Sequence, residues 1–338
     1  MPEALGCWPM RIFSGIQPTG RKHLGNYIGA IRQYVEGQDR GDPAIYSIVD
    51  LHAITVAYEP EQLRTNLYDT TAALLAAGLD PERCILFRQS DIPEHTELCW
   101  LLSGVCAHGD LNRMTQFKEK SAQQKDLVSA GIFIYPLLQA ADVLAYRADE
   151  VPVGEDQRQH IELMREIARR FNERFGETLV VPDHRIPGIG ARIMDLQEPT
   201  RKMSTSVGAD SGRVYLLETE QETRKKFGSA VTDSGREVKR GEGKEGVTNL
   251  IGIYAVATGK SEDEVEAEFE GAGYGDFKKA VADAVVEFLA PVRERYPEIR
   301  EDEEGIERIL AEGAARARAI ASETLADVRE AMGVGVPR

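Results

Sequence analysis

Short apolar runs alternate with helical periodicities through the first half of the chain. The apolar runs predict strands over 11–14, 44–50, 84–87, 151–153 and 178–181. The intervening periodicities predict helices over 24–36, 61–77, 94–106, 136–146 and 157–175. The run 44–50 is apolar at nearly every position, as strands buried on both faces of a parallel sheet are. The alternation therefore predicts an α/β fold with a doubly wound, Rossmann-like parallel sheet.

The pattern changes near residue 206. A small, Gly-rich segment over 207–213 is predicted to be a mobile loop, and from about Leu216 the periodicity is almost wholly helical. The Ala/Glu/Arg-rich segment 307–332 predicts a long last helix. We therefore expect a nucleotide-binding domain over 1–206 and an all-helical domain over 207–338, with the last helix packing back on the first domain.

Charge and cysteine content exclude several protein classes. The 338 residues carry 41 Lys and Arg against 56 Asp and Glu, a net charge of −15, so the chain is not a basic nucleic-acid coat. The cysteines form no C-x-x-C pair, which argues against a zinc or iron–sulfur site and favours free thiols in the cytoplasm. Pro136, Gln139 and Asp142 interrupt the apolar stretch 128–146, which therefore predicts a buried helix that faces a polar cleft, with no membrane span.

Three polar motifs stand next to predicted strands. In Pro18–Asn26 a helix begins after the first strand, and a helix N-terminus attracts phosphate. Arg201–Ser206 combines Lys202 with two hydroxyls on a flexible segment that could close over a polyphosphate. Gly154–His160 places carboxylates where they could hold ribose hydroxyls. Taken singly, each motif also fits a structural alternative: a capped turn, a solvated loop and an acidic helix start.

Together these motifs make the chain similar to a known family. The segments that carry the likeness are Gly15–Gly20, His23–Asn26, Met114–Lys120, Tyr135–Asp142, Val151–Gln157 and Lys202–Ser206. In this order they resemble the bacterial tryptophanyl-tRNA synthetases, a branch of the class I aminoacyl-tRNA synthetases. The resemblance runs from about residue 10 to the end of the chain. It implies a ligase that activates L-tryptophan with ATP and transfers it to the 3′ end of tRNA(Trp).

The resemblance also implies which residues bind ATP. The implied ATP-binding residues are Gln17, Thr19, His23, Gly25, Asn26, Gly154, Asp156, Gln157, Ile193, Lys202, Met203, Ser204 and Ser206. Lys202 and Lys120 would contact the phosphates, joined by Lys118 or Lys125, and catalysis would rest on these two lysines with Gln17, His23 and Asn26. Mg²⁺ would accompany ATP, although no carboxylate ligand is evident in the sequence.

Asp142 is the predicted determinant of amino-acid choice. An indole N–H is a donor only, so a carboxylate on an apolar helix would accept it and reject phenylalanine. Tyr135, Phe13, His52, Gln139 and Val153 would line the rest of the pocket, by the same resemblance. The alternatives are a core carboxylate paired with an arginine for Asp142, and ordinary core packing for the apolar strand residues.

One motif departs from the family pattern. The family loop usually carries a second lysine where this sequence has Thr205, so a cation near the pyrophosphate is lost. We hypothesise that Lys202, with Lys120 or Lys125, compensates for that charge.

The resemblance further implies an anticodon-binding helical domain and a homodimer. Residues 94–135 are the candidate dimer interface, because Leu98, Trp100, Leu101 and Leu102 are apolar on one short helix. Arg224–Lys226 and Lys239–Arg240 are candidate basic patches for tRNA, with solvated helix faces as the alternative.

Three rival functions stay open at this point. A tyrosine-specific synthetase would need a pocket acid aimed at a phenol. A small-molecule nucleotidyltransferase shares the His-x-Gly turn but leaves the Lys202 loop and the helical half unexplained. A regulatory paralogue could bind tryptophan or tRNA without activating it, and Thr205 favours that alternative.

Overall fold

A parallel sheet organises the first half of the molecule. The computed structural model describes residues 10–114, 128–154, 157–185, 192–204 and 208–336. Its strands are β1 (Ile12–Ile16), β2 (Ala44–Ile48), β3 (Ile85–Arg88), β4 (Glu150–Pro152) and β5 (Asp183–Arg185). They pair in the order β3–β2–β1–β4–β5, and every pair is parallel. The order reverses between β1 and β4, which confirms the doubly wound α/β prediction and marks the edge where such sheets bind ligands.

The strand predicted over 178–181 is wrong. In this segment the backbone forms hydrogen bonds to a side chain. Asn172 Oδ1 accepts hydrogen bonds from the N–H groups of Thr178 and Leu179, at 3.1 and 2.9 Å. Asn172 Nδ2 in turn donates to the Leu179 carbonyl at 2.8 Å. These bonds take the place of a sheet partner, so the last strand forms later, at Asp183–Arg185.

Helices connect the strands of the sheet. Those of the first half are α1 (Leu24–Asn26), α2 (Arg32–Asp39), α3 (Asp50–Ala53), α4 (Pro60–Ala76), α5 (Glu94–Leu102), α6 (His108–Asn112), α7 (Ala130–Leu144) and α8 (Arg158–Phe175). A π-helical turn, Tyr27–Ile31, joins α1 to α2. Helix α7 begins before the predicted segment because Ser129 caps it, its Oγ accepting the Ile132 N–H at 3.3 Å.

The second half is helical, as predicted. Its helices are α9 (Glu220–Gly228), α10 (Glu245–Thr258), α11 (Glu262–Glu268), α12 (Tyr274–Glu301) and α13 (Glu303–Met332). Helix α12 packs on α4, and α13 packs on β3 and α5. A Cβ on Gly313 of α13 would lie 1.8 Å from the Leu86 carbonyl oxygen, so the two backbones approach as closely as a glycine permits.

Apolar side chains cover both faces of the sheet. Ile12, Tyr46 and Leu86 belong to one buried cluster, and Phe13, Ile45 and Phe87, their neighbours in sequence, belong to the other. Within the described ranges, no helix is both long and apolar enough to cross a bilayer.

Candidate active site

A cavity of about 390 Å³ opens where β1 and β4 end. Its volume lies in the range of roughly 300–1,000 Å³ usual for small-molecule sites. All six residues predicted for the tryptophan pocket line it, namely Phe13, His52, Tyr135, Gln139, Asp142 and Val153. Gln17, Gly154 and Gln157, predicted for ATP, line the same cavity. The two sets meet where Gln139 Nε2 donates to Gln157 Oε1 at 3.4 Å.

Asp142 lines this cavity and is only 2% exposed. Its Oδ1 accepts hydrogen bonds from Gln89 Nε2 and His95 Nδ1, both at 2.7 Å. Its Oδ2 accepts one from His52 Nε2 at 2.8 Å. The partners are therefore an amide and two imidazoles, and the alternative of a core carboxylate paired with an arginine is wrong.

These hydrogen bonds keep Asp142 ionised. Burial alone raises the pKa of a carboxyl group, but the bonds from His52 and His95 outweigh burial and hold the pKa of Asp142 well below its usual range. A carboxylate is an acceptor only, so each histidine must present an N–H to it. The lining of the cavity thus contains a fixed anion that can accept a hydrogen bond from a bound molecule.

The predicted phosphate motif forms a capped helix start. His23 Nδ1 accepts the backbone N–H of Asn26 at 3.2 Å, and Asn26 Oδ1 accepts the backbone N–H of His23 at 3.1 Å. A Cβ on Gly25 would lie 3.0 Å from His23 Nδ1, so the turn leaves little room for a side chain. Because Nδ1 is the acceptor, the proton of the neutral ring sits on Nε2, where it can be donated to a ligand.

The surroundings of His23 are strongly cationic. Burial, followed by the charges of Lys22, Lys202 and Arg213, lowers the pKa of His23 to about 4. The ring is therefore neutral near pH 7, while three cations surround it. Such a cluster attracts an anionic ligand, in keeping with the predicted phosphate contact of Lys202.

A lysine holds the loop that precedes this helix. Lys22 Nζ donates to the carbonyl oxygens of Gln17 and Thr19, at 2.8 and 3.2 Å. Burial lowers the pKa of Lys22 to about 8, against the opposing charge of Asp69. Gln17 and Thr19, both predicted at the ATP site, are thus positioned through their backbones.

The Lys202 segment packs beside the helix start. Met203 N–H donates to the Ile193 carbonyl at 2.9 Å, and Lys202 pairs with Met194 in an antiparallel bridge. A Cβ on Gly25 would be 3.7 Å from Ile193 Cβ, which brings Ile193, one of the residues implied to bind ATP, next to the phosphate motif. Ser204 lies at the end of the described segment.

Several predicted residues lie outside the described part of the chain. They are Lys118, Lys120, Lys125, Asp156, Thr205 and Ser206. Among the residues that are described, no three His, Cys, Asp or Glu side chains converge as a metal site.

Sequence reasoning missed the residues behind Asp142. Gln89 comes directly after β3, and His95 lies in the first turn of α5, so both stand beyond the carboxyl end of a strand. The rule that ligands meet at the carboxyl ends of parallel strands could have pointed to them. Tyr146, which contacts His95, carried no such signal, because an aromatic side chain just past a buried helix is usually core.

Comparison with known proteins identifies the family. The family model described as tRNA synthetases class I (W and Y) matches residues 7–290. This chain belongs to that family. It is 51% identical over 326 residues to the tryptophan–tRNA ligase 2 of Streptomyces avermitilis, covering 96% of each chain. It is 48% identical over 324 residues to the tryptophan–tRNA ligase of Wolinella succinogenes, covering 96% of this chain and 98% of that one.

Solved structures of class I synthetases share the whole architecture. The tryptophanyl-tRNA synthetase of Mycoplasma pneumoniae superposes with a TM-score of 0.91 at 35% identity, covering 97% of this chain and 98% of that one. The Campylobacter jejuni enzyme, solved with ADP and tryptophan, gives 0.81 at 34% identity, covering 96% and 100%. The tyrosyl-tRNA synthetase of Aeropyrum pernix, at 19% identity and 0.68, shares the fold.

Proposed function

We propose that the chain is a tryptophan–tRNA ligase whose tryptophan site is the cavity where β1 and β4 end, and whose ATP site begins at Gln17, Gly154 and Gln157 in that cavity and includes the start of α1. The observation that carries this is the buried, ionised Asp142 in a cavity that Gln17, Gly154 and Gln157 also line, while the cation-surrounded start of α1 follows the same strand, β1. The named relatives are tryptophan ligases over nearly their full length. A related enzyme of known structure binds ADP and tryptophan.

Activation is an in-line displacement at phosphorus. The carboxylate of tryptophan attacks the α-phosphorus of ATP, a new O–P bond forms, and the bond to the bridging oxygen breaks. Pyrophosphate leaves with the electron pair, giving tryptophanyl-adenylate. The attacking group is already an anion, so no general base is needed, and catalysis consists of positioning and charge neutralisation.

ATP enters as its magnesium complex, so the metal arrives with the substrate. His23 donates from Nε2 to a phosphate oxygen, and Lys202 neutralises charge that develops on the pyrophosphate. Gly154 and Asp156 hold the ribose, Gln157 lines the same site, and the Ile193 and Met203 backbones meet the adenine. Asp156, Ser206 and Lys120 are assigned to the same site from the sequence.

Amino-acid selection depends on the buried anion. The indole N–H donates to the remaining acceptor site of Asp142, while phenylalanine would leave that site without a donor. Leaving a buried acceptor unpaired costs about 1–3 kcal/mol, and more when it is charged. Phe13, Tyr135 and Val153 enclose the ring, and Tyr135 is itself held by a hydrogen bond between its hydroxyl and His160 Nε2 at 2.9 Å.

In the second step the terminal ribose hydroxyl of tRNA(Trp) attacks the carbonyl carbon of the adenylate. The ester forms, AMP leaves, and the hydroxyl proton is released. We assign anticodon binding to the helical half, 207–338. We place the enzyme in the cytoplasm as a homodimer, which its free cysteines and the exposed Trp100 within 94–135 support.

Amino-acid-dependent ATP–pyrophosphate exchange tests the proposal. Wild type should exchange with tryptophan and not with tyrosine or phenylalanine. Asp142→Asn should lose its tryptophan preference by about 100-fold or more in kcat/KM, because the buried acceptor then also presents a donor. Tyrosine-dependent exchange would identify a tyrosine enzyme, and tryptophan binding without any exchange would identify a regulatory paralogue.

A further inference from the structure

The two oxygens of Asp142 are unequally occupied. Oδ1 accepts two hydrogen bonds and Oδ2 accepts one. A carboxylate oxygen has two acceptor sites, so Oδ1 is filled and Oδ2 keeps one site. His52, the partner of Oδ2, lines the cavity, whereas the described lining does not include Gln89 or His95, the partners of Oδ1. The remaining site therefore belongs to the oxygen on the cavity side.

His95 holds the filled oxygen from behind. The ring is fully buried, with Nδ1 2.7 Å from Asp142 Oδ1 and Nε2 2.6 Å from the Tyr146 hydroxyl oxygen. Asp142 lies in the last turn of α7 and Tyr146 lies two residues past its end, and the ring of His95 on α5 is hydrogen-bonded to both. The carboxylate requires a proton on Nδ1, and Nε2 is the ring atom that can accept a hydrogen bond from the Tyr146 hydroxyl.

Tyr146 sets this tautomer. Burial, followed by the charges of Asp142 and Glu94, raises the pKa of Tyr146 well above its ordinary value, so its hydroxyl keeps its proton. The chain of donors runs from the Tyr146 O–H to His95 Nε2, and from His95 Nδ1–H to Asp142. The Tyr146 ring also stacks on Phe13, a cavity residue, with ring centres 5.3 Å apart.

We infer that His95 is a positioning residue for amino-acid selection, held by Tyr146 so that Asp142 turns its one remaining acceptor site toward the indole N–H. The inference rests on the proposed function and adds two residues to it. Neither residue touches the substrate. Their effect reaches it through the orientation of the Asp142 carboxylate.

Two substitutions at one position separate the donor from the ring. In His95→Asn the amide nitrogen takes the place of Nδ1 and can still donate to Asp142. In His95→Gln the amide reaches the place of Nε2, and the donor to Asp142 is lost. Both changes remove the imidazole, so a merely structural role predicts similar effects of the two substitutions.

The experiment measures how strongly the enzyme prefers a substrate that carries the indole N–H over one that lacks it. ATP–pyrophosphate exchange is measured with tryptophan and with its benzothiophene analogue, in which sulfur replaces the N–H. We expect His95→Gln to lower the ratio of the two kcat/KM values at least about tenfold, through the KM for tryptophan. His95→Asn should stay within about threefold of wild type, and the KM for ATP should be unchanged in both variants.

Equal losses with both substrates, or equal ratios in the two variants, would overturn the inference. If either His95 variant fails to fold, by circular dichroism, Tyr146→Phe decides instead. It keeps the stacked ring and removes only the hydroxyl, and we expect a lower ratio with an unchanged KM for ATP. An unchanged ratio in Tyr146→Phe overturns the role of His95.

Exchange measured in the wild-type enzyme distinguishes a failure of the positioning role of His95 from a failure of the proposed function. Absence of tryptophan-dependent exchange in wild type would refute the proposed function. Exchange with tryptophan but without discrimination against the benzothiophene analogue would leave that function standing and refute the positioning role.

Discussion

His23 is a neutral histidine that completes the cap of α1, and its protonation should cost the fold stability. In the unfolded chain it takes up a proton near its ordinary pKa of 6.5, whereas in the folded protein it does so only near about 4. Between these values the unfolded state binds more protons. The free energy of unfolding therefore falls as the pH drops from about 7 to about 4, and this contribution is constant below that range.

Replacing His23 with Asn should reduce this pH dependence. Asn is a good N-cap and does not titrate, so His23→Asn keeps the turn and removes the proton uptake. Urea unfolding at pH 7, 5.5 and 4.5 measures how much free energy of unfolding each protein loses on acidification. We expect the loss in His23→Asn to be smaller than in wild type by up to about 3 kcal/mol. Parallel curves for the two proteins would contradict the assigned pKa.

Thr205 leaves the Lys202 loop with one cation fewer than is usual in the family. Thr205→Lys adds a charge that can accompany the departing pyrophosphate, so we expect the rate of adenylate formation to rise several-fold. Single-turnover measurement of that rate is the check, with Thr205→Met as an uncharged control of similar length. A slower or unchanged Thr205→Lys enzyme would defeat the idea of a missing charge.

At the scale of single residues, the sequence predicted the side chains that line the cavity better than those that hold Asp142 from outside the cavity. Phe13, His52, Tyr135 and Asp142 line the cavity as expected. The motifs placed them because each motif is local in the chain. Gln89 and His95 reach Asp142 from the end of another strand. A contact between distant segments produces no local pattern in the sequence, so these two residues could not be predicted in the same way.

The fit between the last helix and β3 depends on one glycine. A Cβ at Gly313 would meet the Leu86 carbonyl oxygen at 1.8 Å, and backbone cannot move aside as a flexible side chain can. We expect Gly313→Ala to lower the free energy of unfolding by about 1–3 kcal/mol or more, as overpacking does. Urea unfolding followed by circular dichroism measures this.

Gly275 provides the matched control. It also lies in a helix, and a Cβ there would have no heavy atom within 4 Å. Gly275→Ala should stabilise the protein slightly, by about 0.4–1 kcal/mol, because alanine restricts the unfolded chain. Similar effects of the two substitutions would show that the contact with Leu86 is not what requires glycine.

Helices with a clear periodicity could be predicted from the sequence. A segment whose backbone forms hydrogen bonds to a side chain from elsewhere could not. The helices over 158–175 and 303–332 lie close to their predicted bounds, because both have long amphipathic patterns. The apolar run 178–181 has the composition of a strand. Asn172 takes its backbone hydrogen bonds, and nothing in the run itself indicates that competitor.

For the whole molecule, the exposed surface of α5 is the feature that most needs a partner. Trp100 is 77% exposed, although a large aromatic side chain gains from burial. If 94–135 forms the proposed dimer interface, Trp100→Lys should shift the protein from dimer to monomer in sedimentation velocity. Val231→Lys changes an exposed apolar residue outside that segment and should leave the dimer intact.

Charge across the molecule limits where tRNA can bind. The candidate basic residues of the helical half are engaged locally: Arg224 pairs with Glu220 and Asp283, and Lys226 pairs with Glu218. Arg240 pairs with Glu262, Asp263 and Glu266. These residues therefore add little net positive potential, while Lys225 and Lys239 are exposed. Composition revealed the acidity of the chain, but not which cations are neutralised by carboxylates of the helical half.

The packing of α13 against β3 has a consequence for biosynthesis. β3 is an edge strand, and the segment after it supplies Gln89 and His95, which hold Asp142 by hydrogen bonds. The helix that covers this edge leaves the ribosome more than 200 residues after β3, because it spans Glu303–Met332. A nascent or prematurely terminated chain thus has an open sheet edge and an unsupported pocket wall, which exposes it to aggregation and proteolysis before it can activate any amino acid.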